Sequence, residues 1–217
     1  MFRIKTVLLL TKKELLSHLD RPTTTIALIV FTLIWEFLFF RNAFLVNTAS
    51  LRNLYDYLPW LLLLFASAVT MGVFAEEKSE GTLELLLTHP VKEIEVVIAK
   101  FIGSVGLLSL GLLFALPIAL TFSLFAPFDW GAFIGQFLAS ILLAASFVSM
   151  GLFISSLLTS PIASLLTTAA ASFFFIVAGT ELITANLPLA IVPVLERLSL
   201  LSHTDSMARG VIDIRDA

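Results

Sequence analysis

Carboxylates and lysines are concentrated in one stretch of an otherwise apolar chain. Residues 76–100 read EEKSEGTLELLLTHPVKEIEVVIAK and hold six of the sixteen acidic residues and three lysines. Gly81 and Thr82 can start a helix there, because the nearby Glu80 and Glu84 are favourable at a helix N-terminus. Leucines follow, and Pro90 ends the run. The pattern predicts a short amphipathic helix, joined to two spans, that can transmit a push from a soluble partner into the bundle; an ordinary charged loop is the alternative.

Catalytic chemistry has little support in the sequence. His18, His89 and His203 all lie outside the long apolar runs, so no Ser–His pair and no histidine-rich metal site is expected within them. The chain has no cysteine, which excludes thiolate chemistry and cysteine metal sites. It also lacks the G-x-x-x-x-G-K-[ST] loop that cradles ATP phosphates. We therefore expect no enzyme activity of its own and no directly bound cofactor or metal.

The composition indicates a protein whose solvent is lipid. Hydrophobic residues make up 59% of the 217 residues and charged residues 13%, and the mean hydropathy is +1.02. The formal net charge is −3, and no basic run with interleaved aromatic residues is present. A nucleic-acid partner is therefore not expected.

The apolar runs predict an all-α, polytopic transmembrane bundle with about five spans. They lie at residues 23–40, 57–75, 99–122, 131–156 and 161–180, each near the ~20 residues that cross a bilayer. Residues 1–22 predict an amphipathic entry helix in the headgroup layer, which the sequence Asp20-Arg21-Pro22 ends. Residues 181–217 are too interrupted by proline and charge to span. The chain is thus predicted to be one transmembrane domain, residues 1–217.

The distribution of basic residues predicts the orientation. Residues 1–23 carry five and residues 76–100 carry three, against two at 41–56 and three at 181–217. The positive-inside rule then places the N-terminus and residues 76–98 in the cytoplasm. Residues 181–217 are expected outside a cell (plasma) membrane.

Several stretches resemble the ABC-2 type permease family, the membrane subunits of ATP-binding-cassette exporters. The principal one is FAEEKSEGTLELLLTHPV at residues 74–91, followed by the sequence Lys100-Phe101-Ile102-Gly103. In that family an acidic pair, then E-x-GT-x-E-x-LL and a proline, lies in the cytoplasmic loop after the second span. Supporting likeness is found in KKELLSHLDRP (12–22), GLFISSLLTSPIAS (151–164) and LLSHTDSMARGVIDIRD (200–216).

The resemblance implies a function and a coupling surface. Two permease subunits, forming a homo- or heterodimer in the lipid bilayer, would pair with ABC ATPase subunits that hydrolyse ATP and drive export of a hydrophobic or amphipathic substrate. The residues that match the family motif, and so are expected to form the ATPase-coupling surface, are Glu76, Glu77, Glu80, Gly81, Thr82 and Glu84. We expect Leu83, Leu85 and Leu86 to pack this surface onto the spans or into an ATPase groove, before Pro90. The family usually has a sixth span, so the chain is either truncated or a five-span variant.

Some alternatives remain open at the level of sequence. A non-transporting scaffold, or a regulatory or channel-like subunit, is the competing function. Glu36 is expected to be solvated or paired with Arg41 near the outer boundary, rather than to contact a substrate. Pro117 either bends its span or marks its end. Gly103, Gly106 and Gly111 permit close helix packing.

Overall fold

The computed structural model describes residues 4–46, 55–83, 91–125, 129–178 and 180–184, with the single residues 192, 195, 199 and 200. No strand occurs among these residues, which form almost entirely helices. The helices are α1 (Ile4–Asp20), α2 (Pro22–Val46), α3 (Leu58–Thr70), α4 (Ala75–Ser79), α5 (Glu93–Leu113), α6 (Ala115–Phe125), α7 (Trp130–Leu157), α8 (Pro161–Val177) and α9 (Glu181–Thr184).

Four helical stretches are long and apolar enough to cross a membrane. They are Pro22–Arg41, Leu58–Ser79, Glu93–Thr121 and Trp130–Leu157, and α8 is an apolar helix of 17 residues. The predicted all-α polytopic bundle is therefore confirmed. The first four predicted spans coincide with the four long helices, whereas the fifth, predicted over 161–180, corresponds to the shorter α8.

The spans run in alternating directions. Arg21 before α2 contacts Glu76 after α3, and Lys100 near the start of α5 contacts Glu77. Ser155 near the end of α7 contacts the backbone of Phe74 and Ala75. The start of α2, the end of α3, the start of α5 and the end of α7 therefore meet at one end of the bundle, which we call the junction end.

Aromatic side chains gather at the opposite end. The ring of Tyr55 lies 6.1 Å from that of Trp35 and 6.4 Å from that of Phe133, and Trp130 lies 6.0 Å from Phe133. Trp60 at the start of α3 also meets Phe173 near the end of α8. Amphipathic rings concentrate at membrane boundaries, so we take this aromatic end to lie at one face of the membrane.

The helices approach closely where the side chains are small. A Cβ on Gly103 would lie 2.9 Å from Glu14 Cβ, which shows that α1 is packed directly on α5. A Cβ on Gly151 would overlap Thr70, so α7 and α3 are in backbone-close contact. Such contacts are the usual source of association between helices whose lipid-facing and buried faces are equally apolar.

Two interruptions shape the bundle. Arg21 separates α1 from α2, as the sequence Asp20-Arg21-Pro22 predicted. The long third span breaks at Phe114, because Pro117 cannot donate a backbone hydrogen bond to Leu113. The helix then continues to Phe125, so Pro117 interrupts this span and does not end it.

Candidate functional site

The acidic turn, residues 74–83, is built around one glycine. Helix α4 ends where Glu80 N–H bonds to Glu76 O at 2.9 Å and Gly81 N–H bonds to Lys78 O at 3.2 Å. Gly81 has a φ of +71°, a left-handed conformation that residues with a Cβ rarely adopt. Thr82 and Leu83 are helical again. The sequence predicted a helix start at Gly81 and Thr82, and the helical conformation of Thr82 and Leu83 agrees with it. The other predicted residues, Glu84, Leu85, Leu86 and Pro90, lie outside the described part of the chain.

Lys100 joins three elements at the junction end. Its side chain is 1% exposed, and its Nζ lies 2.6 Å from Glu77 Oε1 and 3.4 Å from Glu14 Oε1. The same ammonium donates to the carbonyl of Val73 at 3.1 Å and lies 5.2 Å from the centre of the Phe74 ring. A buried ammonium is tolerated only when it is paired and hydrogen-bonded. Lys100 therefore ties α5 to α1 and to the start of α4.

A second ion pair connects the same elements nearer the solvent. Arg21 Nη1 donates to Glu76 Oε2 at 2.7 Å, and the two side chains are 42% and 35% exposed. An exposed pair of this kind contributes little to stability, but it fixes which carboxylate faces the start of α2. We call Glu14, Arg21, Glu76, Glu77 and Lys100 together the charged junction.

Helix α7 holds the acidic turn from the other side. Ser155 Oγ accepts hydrogen bonds from the backbone N–H of Phe74 at 3.2 Å and of Ala75 at 3.1 Å. The same hydroxyl donates to Met71 O at 3.1 Å, and Lys78 Nζ donates to Ser156 O. The N–H groups at the start of a helix lack partners within it. Here α7 supplies the missing acceptor, so the turn is clamped between α5 and α7.

His18 packs between α1 and α5 beside the charged junction. Its side chain is buried, with Nε2 3.4 Å from Ser104 Oγ. Burial lowers the pKa of His18 from 6.5 to about 4; Glu14 opposes this shift, and Arg21 and Lys100 add to it. The imidazole is therefore neutral at neutral pH and serves as a helix–helix contact.

A cleft of about 350 Å³ opens beside the charged junction. Its lining includes Lys13 of α1 together with Glu80 and Thr82 of the acidic turn. Both Glu80 and Thr82 are exposed. Among the residues that the structure describes, no group of three or more histidine, cysteine or acidic side chains is placed to hold a metal ion.

The structure divides the predicted coupling residues into two groups. Glu76 and Glu77 face inward to Arg21 and Lys100, whereas Glu80, Gly81 and Thr82 are exposed. Leu83 is half-buried and packs against the hydrophobic core.

Sequence reasoning did not find the structural partners Glu14 and Ser155. Lys100 could have indicated that an acidic partner such as Glu14 exists, because a lysine at the start of an apolar span requires a counter-ion. Nothing comparable distinguishes Ser155 from the many other serines of the apolar segments.

Glu36 lies in the half of α2 that approaches the aromatic end. The ring of the neighbouring Trp35 meets that of Tyr55, which precedes α3, edge-on. The expected position of Glu36 at the outer membrane boundary stays a prediction. The expected alternative of an ion pair with Arg41 is not formed among the described residues, because five helical positions turn the two side chains about 140° apart.

Comparison with known proteins identifies the class. The sequence model for "ABC-2 family transporter protein" matches residues 23–214, which is most of the chain. No curated protein matches the chain. The chain therefore belongs to the ABC-2 transporter family, and it is a multi-pass membrane protein of the permease type.

Proposed function

We propose that this chain is the permease subunit of an ATP-driven exporter that moves a hydrophobic or amphipathic substrate. A separate ABC ATPase subunit would bind and hydrolyse the ATP. The chain would pair with a second permease subunit in the plasma membrane, with its N-terminus and the acidic turn in the cytoplasm. The excess of basic residues before α2 and around the acidic turn supports this orientation.

One observation carries the proposal: the acidic turn is bonded directly to α5 and α7, and Lys100 connects it to α1. Glu77 and Lys100 link it to α5 and, through Glu14, to α1. Ser155 links it to α7. A force applied to the turn would therefore move the ends of several spans together, which is what coupling to a motor subunit requires.

The two groups of acidic residues would have different roles. Glu76 and Glu77 would hold the turn to the bundle, since their carboxylates already face Arg21 and Lys100. Glu80, Gly81 and Thr82 are exposed and would contact the ATPase. Leu83 would anchor the far side of that surface on the core.

The test is to replace exposed residues of the turn in a complex of this chain with a candidate ABC ATPase subunit. Glu80→Lys should lower the stimulation of ATP hydrolysis by the bound permease about tenfold, the effect of one lost charge-assisted contact. Gly81→Pro should have a similar effect, because proline cannot adopt the φ of +71° found there. Both variants should insert into the membrane normally.

Tyr57→Lys provides the matched control, because it adds the same lysine at an exposed position of the aromatic end. It should leave ATP hydrolysis unchanged. Normal stimulation and normal export in both turn variants would refute the proposal. Failure of the chain to co-purify with any ABC ATPase would instead favour a non-transporting scaffold.

A further inference from the structure

A second cavity, of about 480 Å³, lies between α5 and α7 at the junction end. The acidic turn closes one side of it with Phe74, Lys78 and Leu83. Val97 and Phe101 of α5 and Phe153 of α7 form much of the remaining wall. The volume falls within the range of sites that bind small organic molecules, and the wall is mostly apolar, as in such sites.

The polarity of this cavity changes along its length. Glu93, Lys78 and Ser156 lie at the end of the bundle, whereas Phe101 is eight residues further along α5, roughly 12 Å deeper. Helix α7 runs in the opposite direction, so its Ser156 lies near Glu93. The cavity thus has an acid and a base at its mouth and hydrocarbon below them.

The cavity opens towards the membrane. Val97 is 46% exposed and Phe153 is 65% exposed, and both belong to helices that qualify as spans. The span Glu93–Thr121 has 29 residues, more than the ~20 that cross the hydrocarbon layer. Because Glu93 is a charged, exposed residue at the start of this span, we place that end among the headgroups and Phe101 among the acyl chains.

We propose that this cavity binds a zwitterionic, lipid-like amphipath from the adjacent leaflet, with its phosphate at Lys78, its ammonium at Glu93 and an acyl chain against Val97, Phe101 and Phe153. Lys78 uses one N–H for Ser156 O, which leaves two for a phosphate. An anionic lipid would pair with Lys78 but be repelled by Glu93. A purely apolar ligand would leave both charges unused. The inference rests on the proposed export function and specifies the chemistry of its cargo.

The test is photolabelling of the purified permease in detergent, without ATPase or nucleotide. The probes are phosphatidylethanolamine and phosphatidylglycerol, each with a photoreactive acyl chain. Phosphatidylethanolamine should label residues 93–101 and 149–156 about tenfold more than phosphatidylglycerol, as expected for one additional ionic contact. Glu93→Gln should abolish that preference, and Val97→Trp should fill the cavity and abolish labelling by both probes.

Ile102→Trp is the matched control, because Ile102 lies on the same helix, is 45% exposed and does not line the cavity. It should leave labelling unchanged. Equal labelling by both probes would overturn the proposal, as would labelling that survives Val97→Trp. A quantitative disulfide between Leu86→Cys and Val97→Cys, with no lipid labelling, would show that the chain's own leucine run fills the cavity and would also overturn it.

These outcomes are independent of ATPase coupling. Glu80→Lys, which should impair coupling, is expected to keep normal labelling. Loss of the labelling pattern in a permease that still couples to its ATPase would reject only the lipid site. Normal labelling in a chain that never associates with an ATPase would reject the proposed transport function and the role of the lipid as cargo, but not the lipid site itself.

Discussion

Lys100 shows how one buried charge can organise an apolar protein. Its ammonium is removed from solvent, yet two carboxylates, one carbonyl and one aromatic face surround it. None of these groups belongs to α5: Glu14 is on α1, and the others lie in or next to the acidic turn. Because a buried ammonium without its partners would be costly, the helices cannot separate independently. The charge thus specifies the arrangement of α1, the acidic turn and α5.

Replacing this lysine should therefore destabilise the fold more than its loss of volume implies. Lys100→Met leaves Glu14 and Glu77 facing one another without a cation. Breaking a buried pair costs roughly 3–5 kcal/mol, and we expect the lower part of this range because Glu14 and Glu77 are 17% and 22% exposed. At about 2–4 °C per kcal/mol, the midpoint of thermal unfolding in detergent should fall by roughly 6–12 °C.

Lys92→Met is the matched control, since Lys92 is exposed at the start of the same helix. It should change the midpoint little. Adding Glu77→Gln to Lys100→Met should recover part of the loss by removing one of the two uncompensated carboxylates. A midpoint for Lys100→Met equal to that of Lys92→Met would contradict the role assigned to Lys100.

Helices were predictable from the sequence, but their buried faces were not. The run 1–22 predicted a helix, and α1 is one, yet Leu8 and Leu9 are exposed while Val7 and His18 are buried. In a membrane protein, lipid and protein are equally apolar, so hydrophobicity does not distinguish the two faces. What selects the packed face of α1 is polar and steric: His18 meets Ser104, and Glu14 lies over Gly103. A placement of α1 in the headgroup layer stays a prediction.

Contact between α3 and α7 gives a test at the level of whole helices. Gly151→Ala should destabilise the protein by about 1–3 kcal/mol, because the new methyl group would overlap Thr70, whose Cβ is fixed by its own backbone. Gly106→Ala is the same substitution in another span, where the methyl group would lie 3.8 Å from the end of the Leu15 side chain. It should be neutral or slightly stabilising, since alanine favours helix over glycine.

Thermal unfolding in detergent would measure both variants. Equal midpoints for Gly151→Ala and Gly106→Ala would show that α3 and α7 are not in the close contact described. A loss confined to Gly151→Ala would support that contact.

At the level of the whole molecule, the spans could be predicted from local sequence patterns, whereas the long-range contacts between them could not. Apolar length predicted the spans, because a bilayer crossing requires a nearly fixed number of residues. The acidic turn was also recognisable. The separation of its residues into a bonded and an exposed group was not recognisable. Glu76 and Glu77 are held by Arg21 and Lys100, which lie 55 and 23 residues away in the sequence. Long-range ion pairs of this kind leave no local period in the sequence.

The alternating spans lead to a prediction about sidedness. Because Arg21, Glu76, Lys100 and Ser155 meet at one end, Thr82 and Tyr57 must lie on opposite sides of the membrane. The chain has no cysteine, so single variants Thr82→Cys and Tyr57→Cys give unambiguous signals. In intact cells a membrane-impermeant thiol reagent should label Tyr57→Cys and leave Thr82→Cys unlabelled until the membrane is opened. The reverse pattern would invert the proposed orientation and remove the acidic turn from any cytoplasmic ATPase, whereas labelling of both sites in intact cells would contradict the alternating topology itself.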